Sequence, residues 1–396
     1  MRLLWLSNSP LCSTGYGNQT ALFAPRLQQL GYPTAVHAFY GNDATVLEVG
    51  GLTVYPKFEH PFGQDICAAH AQHFGADAIL TLTDAWVMEP QHYQGLPWLA
   101  WAPIDHDPAP PDVIAKLKDA AAPIAYSRFG ERMMREAGLD PYYVPHGIDT
   151  AVYQPIDRTV ARRALKWPED RFVVGMVAAN KGFAPCRKAF PEALAAFARL
   201  RQKHPDALLY LHTNLDTPAS WQPVKLSPLF ARFGLVYGRD VVAVDQYQYF
   251  CGAIPAATMA HLYSAMDVLL TVSRGEGFGI PALEAQACGT PVITGGWTAM
   301  PELCFAGWAV PVGEAHAEWT PQGSFMFVPR VGAIAERLEW AYRQSGSESL
   351  RAKAREGALA YDADRVTREH WAPVLADIAR GLSAPVEVAG PLARAA

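Results

Sequence analysis

The chain has little free charge, no paired cysteine spacing and no long apolar run. Its six cysteines (Cys12, Cys67, Cys186, Cys251, Cys288, Cys304) are scattered through 396 residues without a CxxC pair. Neither a zinc site nor a disulfide framework is indicated, and reduced thiols in a cytosolic protein are the simplest account. No apolar stretch approaches bilayer-spanning length. The first apolar run, residues 3–6, is too short for a signal core and lacks a cleavage site. These absences give the expectation of a soluble, cytoplasmic protein. Charged residues make up 18% and the formal net charge is −5, so no global electrostatic drive leads to nucleic acid or anionic lipid, although a local basic face stays open. No short-period repeat is visible.

What is present is a globular balance, 50% hydrophobic, over a length sufficient for two domains with separate cores. Strand-like and helix-like segments alternate, which marks an α/β protein with mostly parallel sheets. Strands are expected at residues 3–6, 33–38, 78–82, 98–102, 124–126 and 142–144, with helices at 19–30 and 128–137. A charged helix at 158–166 is followed by a fresh cycle: strand 172–177, helix 191–203, strand 207–212. Alternation continues through 262–266, 268–272, a helix at Pro281 and a strand at 292–294. The domain boundary is expected near residues 155–170. This gives a first domain over 1–160, a second over 161–363, and a last helix over 364–380. Residues 383–396 are Pro- and Ala-rich without periodicity and are expected to form a flexible tail. Two doubly wound domains place ligands at the carboxyl ends of their strands, here in a cleft between them.

The most informative segment is Ser273-Arg-Gly-Glu-Gly-Phe-Gly-Ile-Pro-Ala-Leu-Glu284, continuing through Ala287-Cys-Gly-Thr-Pro-Val-Ile293. Two carboxylates, Glu276 and Glu284, stand in an apolar, glycine-rich run, where an unpaired buried charge would cost several kcal/mol. They therefore point at a polar ligand. Gly275, Gly277 and Gly279 permit close backbone approach, and Pro281 suits the first turn of a helix whose free N–H groups favour a phosphate. The combination fits a phosphorylated polyol. The structural alternative is a tight strand-to-helix turn with Glu284 compensating the helix dipole.

Glu276-Gly-Phe-Gly-Ile-Pro-Ala-Leu-Glu284 with Ala287-Cys-Gly-Thr-Pro-Val-Ile293 resembles the paired-glutamate signature of the GT4-type retaining glycosyltransferases. The resemblance implies the GT-B fold, two Rossmann-like domains with the ligand cleft between them, and a sugar-nucleotide donor. It implies that Glu276 meets hydroxyls of the donor sugar and Glu284 the nucleotide ribose. The amides of Phe278, Gly279 and Ile280 would lie beside sugar and diphosphate, with Gly277 in the same loop.

Ser13-Thr-Gly-Tyr-Gly-Asn-Gln-Thr20 follows the first strand and opens a helix. With Thr20 at the third glycine position it is no dinucleotide fingerprint, and without Gly-Lys-Ser/Thr it is no P-loop. Gly15, Tyr16 and Gly17 form either a ligand loop or an ordinary strand–helix turn, and their position matches the glycine loop that lies over the diphosphate in the resembled family. Trp101-Ala-Pro-Ile-Asp105-His-Asp107 ends a strand with a polar cluster. His106 can share a proton with an adjacent carboxylate, or serve as a structural hydrogen-bonding residue. The Asp105/Asp107 pair has metal-binding spacing. The resemblance favours His106 as the catalytic-region histidine and a metal-independent site, with the two aspartates as polar wall. Asp84 and Trp86 line the acceptor side or cap a strand. Asn180 to Lys188 offers cations for a diphosphate. Lys188 matches the family's lysine, while the matching arginine position is apolar, so Lys181 or Arg187 is expected to substitute. Pro145-His-Gly-Ile-Asp149 resembles the interdomain turn, with Gly147 at the bend. The helix from Arg128 to Arg135 is a half-buried surface helix or a weak contact for a membrane surface or polyanion.

The expected function is retaining transfer of a sugar from a nucleoside-diphosphate sugar to a hydroxyl of a glycan, lipid or small molecule, with no cofactor beyond the donor and no metal. The alternatives are a glycosyltransferase acting on hydroxymethylated DNA bases, a GT-B sugar-nucleotide epimerase or phosphorylase, and a nucleotide-sugar-binding protein without catalysis.

Overall fold

A computed structural model describes residues 1–181, 186–216 and 224–383. The expected tail beyond Ser383 lies outside the described residues. The first lobe is a sheet of β1 (Leu3–Asn8), β2 (Thr34–Tyr40), β3 (Leu47–Val49), β4 (Leu52–Pro56), β5 (Ala78–Leu82), β6 (Trp98–Ala102), β7 (Ala122–Ala125) and β8 (Tyr142–Tyr143). Their lateral order is β3-β4-β2-β1-β5-β6-β7-β8. All neighbours are parallel except the edge pair β3 and β4. The second lobe is a parallel sheet of β9 (Phe172–Val177), β10 (Ala207–His212), β11 (Val241–Ala243), β12 (Val268–Thr271), β13 (Val292–Gly295) and β14 (Gly307–Val310), in the order β11-β10-β9-β12-β13-β14. An antiparallel hairpin, β15 (Ala315–Trp319) and β16 (Phe325–Pro329), is appended to it.

Strands such as Leu-Leu-Trp-Leu and Val-Leu-Leu are buried on both faces because helices cover both sides of a parallel sheet. In each sheet the order reverses once, between β1 and β5 and between β9 and β12. Crevices open at such switch points, beyond the carboxyl ends of the strands.

The last helical segment packs against the first lobe. Trp371 is fully buried, with ring centroids 6.3 Å from Trp5, 6.2 Å from Phe23 and 4.9 Å from Trp101. Arg26 Nε to Asp364 Oδ1 at 2.7 Å and Tyr142 OH to Asp377 Oδ2 at 2.6 Å tie the same segment down. Each large aromatic buried this way contributes roughly 1.5–3 kcal/mol. Gly147, expected at a backbone bend, has no positive φ. A Cβ there would stand 2.9 Å from Phe23 Cζ and 3.2 Å from Tyr361 O, so its glycine is required by close packing. Gln19 holds that turn, donating from Nε2 to Gly147 O at 2.8 Å and accepting from Gly147 N at 3.2 Å.

The lobes also touch directly. Glu302 accepts from the backbone N–H groups of Arg128 (2.9 Å) and Phe129 (2.7 Å), capping a first-lobe helix from the second lobe. Asp107 and Phe325 exchange backbone hydrogen bonds at 3.1 and 3.0 Å. In the Arg128–Glu136 helix the three arginines have carboxylate partners: Arg128 and Arg135 meet Glu131, and Arg132 meets Glu136. Among the described residues no helix is long and apolar enough to cross a membrane.

Candidate functional site

Charged side chains gather where the two switch points face each other. From the second lobe, Lys188 donates to Glu276 Oε1, and Arg187 Nη1 donates to Glu276 Oε2 at 3.2 Å and to Gly275 O at 2.8 Å. From the first lobe, Asp105 Oδ2 lies 3.5 Å from Arg187 Nη1, while its Oδ1 takes His106 Nδ1 at 2.7 Å. A relay of opposite charges thus runs from Lys188 through Glu276 and Arg187 to Asp105, which holds His106. Burial works against ionisation of Glu276, but the Lys188 and Arg187 charges prevail and hold it down to about 2. Asp105 is likewise held to about 2, its burial outweighed by the His106 hydrogen bond and Arg187. Lys181 is exposed, and of the two cations expected to stand beside Lys188 it is Arg187 that contacts Glu276.

Asp105 was expected as polar wall; its two oxygens instead join His106 to Arg187. With Nδ1 of His106 occupied by Asp105, Nε2 is the ring's remaining polar atom. That nitrogen is buried and has no hydrogen-bond partner among the described residues. A buried polar atom left open in this way costs stability unless a ligand fills the valence.

The glycines have a more specific reason than ligand approach. A Cβ on Gly275 would stand 2.0 Å from Asp105 O, and one on Gly277 would stand 2.4 Å from Pro103 Cβ. The Glu276 loop thus lies directly against the strand end that carries His106. Gly279 has φ of 110° and precedes the Ile280–Ala287 helix, a conformation that L side chains rarely adopt. Across the cleft, Thr14 Oγ1 accepts from Gly17 N at 3.0 Å and caps the Gly15–Gln29 helix, which is why the helix begins four residues earlier than expected. Gly17 is confined by its own turn, since a Cβ would lie 2.3 Å from Cys12 O. Gly15 is open, its nearest neighbour being Ile280 Cδ1 at 3.9 Å. The two helix N-termini therefore face each other across this point. Beside them, burial raises the phenol of Tyr16, which hydrogen-bonds Tyr126.

Sequence reasoning missed three supports. Thr298 has φ of 51°, unusual for a β-branched residue, and its Oγ1 accepts from Glu276 N at 3.1 Å. Arg274 donates to Glu192 (3.0 Å) and Glu318 (2.7 Å) and so fixes the loop to the hairpin. Tyr263 OH donates to Glu284 Oε2 at 2.7 Å, and Tyr153 hydrogen-bonds the same carboxyl. The Gly-Gly-Trp-Thr run that ends β13 was the available signal for Thr298. Nothing local announces the tyrosines.

Glu284 behaves unlike Glu276. Burial pushes it up to about 7, and the hydrogen bonds from Tyr263 and Tyr153 only moderate the effect. A carboxyl raised above its unfolded value of 4.5 favours the folded state below that pH, and the contribution disappears as pH rises through about 7. Glu284→Gln is therefore expected to stabilise the ligand-free protein at pH 8, on the order of 1 kcal/mol, and not at pH 4.5. Thermal unfolding at the two pH values checks this, and an equal shift at both would refute it.

Residues 172–320 match the model of the family described as Glycosyl transferases group 1. Over that segment, which makes up most of the second lobe, the chain is similar to the GT4-type glycosyltransferases. Its similarity to the D-inositol 3-phosphate glycosyltransferase of Acidothermus cellulolyticus is 33% identity over 153 residues, 38% of this chain. That alignment spans 32% of the relative's length. Among solved structures, sucrose-phosphate synthase from Thermosynechococcus elongatus aligns with a TM-score of 0.72 at 21% identity, covering 96% of this chain and 99% of that one. Anabaena HepE in complex with UDP-glucose aligns at 0.68 and 18% identity, covering 95% and 100%. These similarities establish the GT-B fold for the two facing sheets.

Proposed function

We propose that the chain transfers a sugar, with retention, from a nucleoside-diphosphate sugar to a hydroxyl acceptor and needs no metal. The observation that carries this reading is the convergence of Arg187, Lys188 and Glu276 opposite His106 at the two switch points. Two fixed cations and the N-terminus of the Ile280–Ala287 helix supply positive charge where a diphosphate would depart. A UDP-sugar is the first candidate, because HepE binds UDP-glucose in the same fold. Glu276 would accept hydroxyls of the donor sugar, Glu284 the ribose hydroxyls, and His106 Nε2 a further sugar hydroxyl. In the step itself, the bond from the anomeric carbon to the diphosphate oxygen breaks. The acceptor oxygen bonds that carbon from the same face, and its proton passes to the departing phosphate oxygen. Glu276 and Asp105 are both engaged by cations, which supports a route without a covalent enzyme intermediate.

A ligand that binds only the folded state raises the unfolding temperature. A thermal-shift panel of UDP-, GDP- and ADP-sugars is expected to show stabilisation by at least one, and no shift with any would reject this reading.

A further inference from the structure

The hairpin appended to the second lobe has an edge that its own sheet leaves open. β15 and β16 form a two-stranded sheet, so the outer edge of β16 presents N–H and C=O groups to other segments. Both lobes pair with it. Phe325 donates from its backbone N–H to Asp107 O of the first lobe at 3.0 Å and accepts from Asp107 N at 3.1 Å, an antiparallel bridge. Two residues on, Phe327 N–H donates to Arg274 O of the second lobe at 2.9 Å. Backbone amides alternate sides along a strand, so these two N–H groups leave the same edge, about 6.8 Å apart. One strand repeat therefore spans from Asp107, which follows His106, to Arg274, which stands two residues before Glu276.

Side chains reinforce the pairing at both points. Ser324 is fully buried and donates from Oγ to Pro108 O, next to Asp107. Glu318 on β15 accepts from Arg274 Nη1 at 2.7 Å, so Arg274 is held by its guanidinium as well as by its carbonyl. The Phe327 ring lies 5.9 Å from that of Trp297, whose Nε1 donates to Ser273 O at 3.0 Å. At the base of the hairpin, Glu314 O accepts from Arg330 N at 3.0 Å and Glu314 Oε1 from Arg337 Nη2 at 3.0 Å. The hairpin is thus rooted in the second lobe and reaches the first through its tip. His106 is thereby held from the second lobe on both flanks, through Asp105 by Arg187 and through Asp107 by Phe325. Lobes joined by polar contacts ordinarily move against each other, and misplacing a catalytic group by about 1 Å can cost about 100-fold in rate.

We propose that β16 is a splint for the site: its outer edge sets the distance between the His106 and Glu276 segments, and its pairing with Asp107 holds His106 Nε2 toward the donor sugar. This rests on the transferase reading above, which gives Nε2 a sugar hydroxyl. Phe325 is a positioning residue that acts through its backbone N–H. The test uses the full chain and needs no acceptor. In deuterium exchange the Asp107, Phe325 and Phe327 amides are expected to be protected, and Phe325→Pro, which removes one N–H, should speed exchange at Asp107 about tenfold or more. Calorimetry then compares UDP-glucose with UDP, or the matching GDP or ADP pair if the thermal-shift panel selects it. Phe325→Pro is expected to weaken the nucleotide sugar about tenfold and the bare nucleotide less than about twofold, because only the sugar meets His106. Phe325→Ala keeps the N–H and should weaken the nucleotide sugar less than about threefold. Added to His106→Ala, Phe325→Pro should cost nothing more, since it acts through that ring. If Phe325→Pro does not fold, Ser324→Ala, which removes only the bond to Pro108 O, should move both readouts in the same direction by about threefold. Three results would overturn the proposal: unprotected amides at Phe325 and Phe327, a nucleotide-sugar affinity reduced no more than that of the bare nucleotide, or losses that multiply in the double variant. Binding of neither ligand by the wild-type chain rejects the transferase reading, and the splint geometry then stands or falls by amide exchange.

Discussion

Replacing Glu276 by glutamine is expected to reduce sugar transfer by about 100-fold to 1,000-fold while strengthening the binding of free UDP. The two effects have opposite signs because Glu276 acts twice. In the ligand-free site its carboxylate, ionised down to about pH 2, occupies Lys188 and Arg187. An incoming diphosphate must take those cations from it, so removing the negative charge favours the diphosphate. The sugar hydroxyls that Glu276 is proposed to hold lose a charged acceptor, which is worth about 1.5–3 kcal/mol per hydrogen bond. The variant also leaves Lys188 and Arg187 facing Asp105 alone. Breaking a fully buried pair costs about 3–5 kcal/mol, but solvent reaches Arg187 and the cost here is smaller. Steady-state release of nucleoside diphosphate and calorimetric titration with UDP separate the two quantities. Wild-type turnover would reject the assigned role, and weaker UDP binding would reject the competition.

Much of the fold was legible because parallel strands buried on both faces are apolar runs with sharp ends. Ala78–Leu82, Trp98–Ala102, Phe172–Val177 and Ala207–His212 occur with the bounds expected for them. The strands that escaped notice are short or half exposed, Val241–Ala243 and Gly307–Val310 among them. Leu47–Val49 and Leu52–Pro56 form an edge pair, and Ala315–Trp319 with Phe325–Pro329 forms a hairpin packed at the lobe junction. Neither has an uninterrupted apolar core to advertise it. The start of the first helix was misplaced because Thr14 caps it through a side-chain bond to Gly17 N, which outweighs the poor helix propensity of two glycines.

The candidate site was legible in its parts and not in its joins. Glu276, Lys188 and His106 stand out as charged or titratable groups after strands. Their mutual contacts depend on how two lobes meet, which periodicity within either lobe does not encode. Gly275 and Gly277 illustrate the difference. Sequence alone allows them to admit any close neighbour, and only the packed lobes identify those neighbours as the backbone of Asp105 and the ring of Pro103. Arg187 is similar: next to Lys188 in sequence, it reads as a solvated helix start, yet its guanidinium bridges Glu276 and Asp105 across the cleft.

Lys188→Ala is expected to lower kcat/KM by about 100-fold to 1,000-fold, and to move acid unfolding to higher pH. The first effect follows from losing a fixed cation where negative charge develops on the departing diphosphate. The second follows from linkage. Glu276 has its pKa depressed below 4.5, so it contributes stability above that value and loses it as pH falls through about 2. Lys188 is the largest of the groups that oppose the effect of burial on Glu276. Without it, burial pushes Glu276 upward, and protonation, with its loss of stability, begins at higher pH. Arg187→Ala should act in the same direction, since it also frees Asp105 from its cation. Lys181→Ala should cost far less, because Lys181 is exposed and does not contact Glu276. Transfer kinetics and acid titrations of the three variants together test the order. If Lys181→Ala proved as damaging as Arg187→Ala, the diphosphate would have to be held farther toward Asp84 than the Glu276 contacts imply.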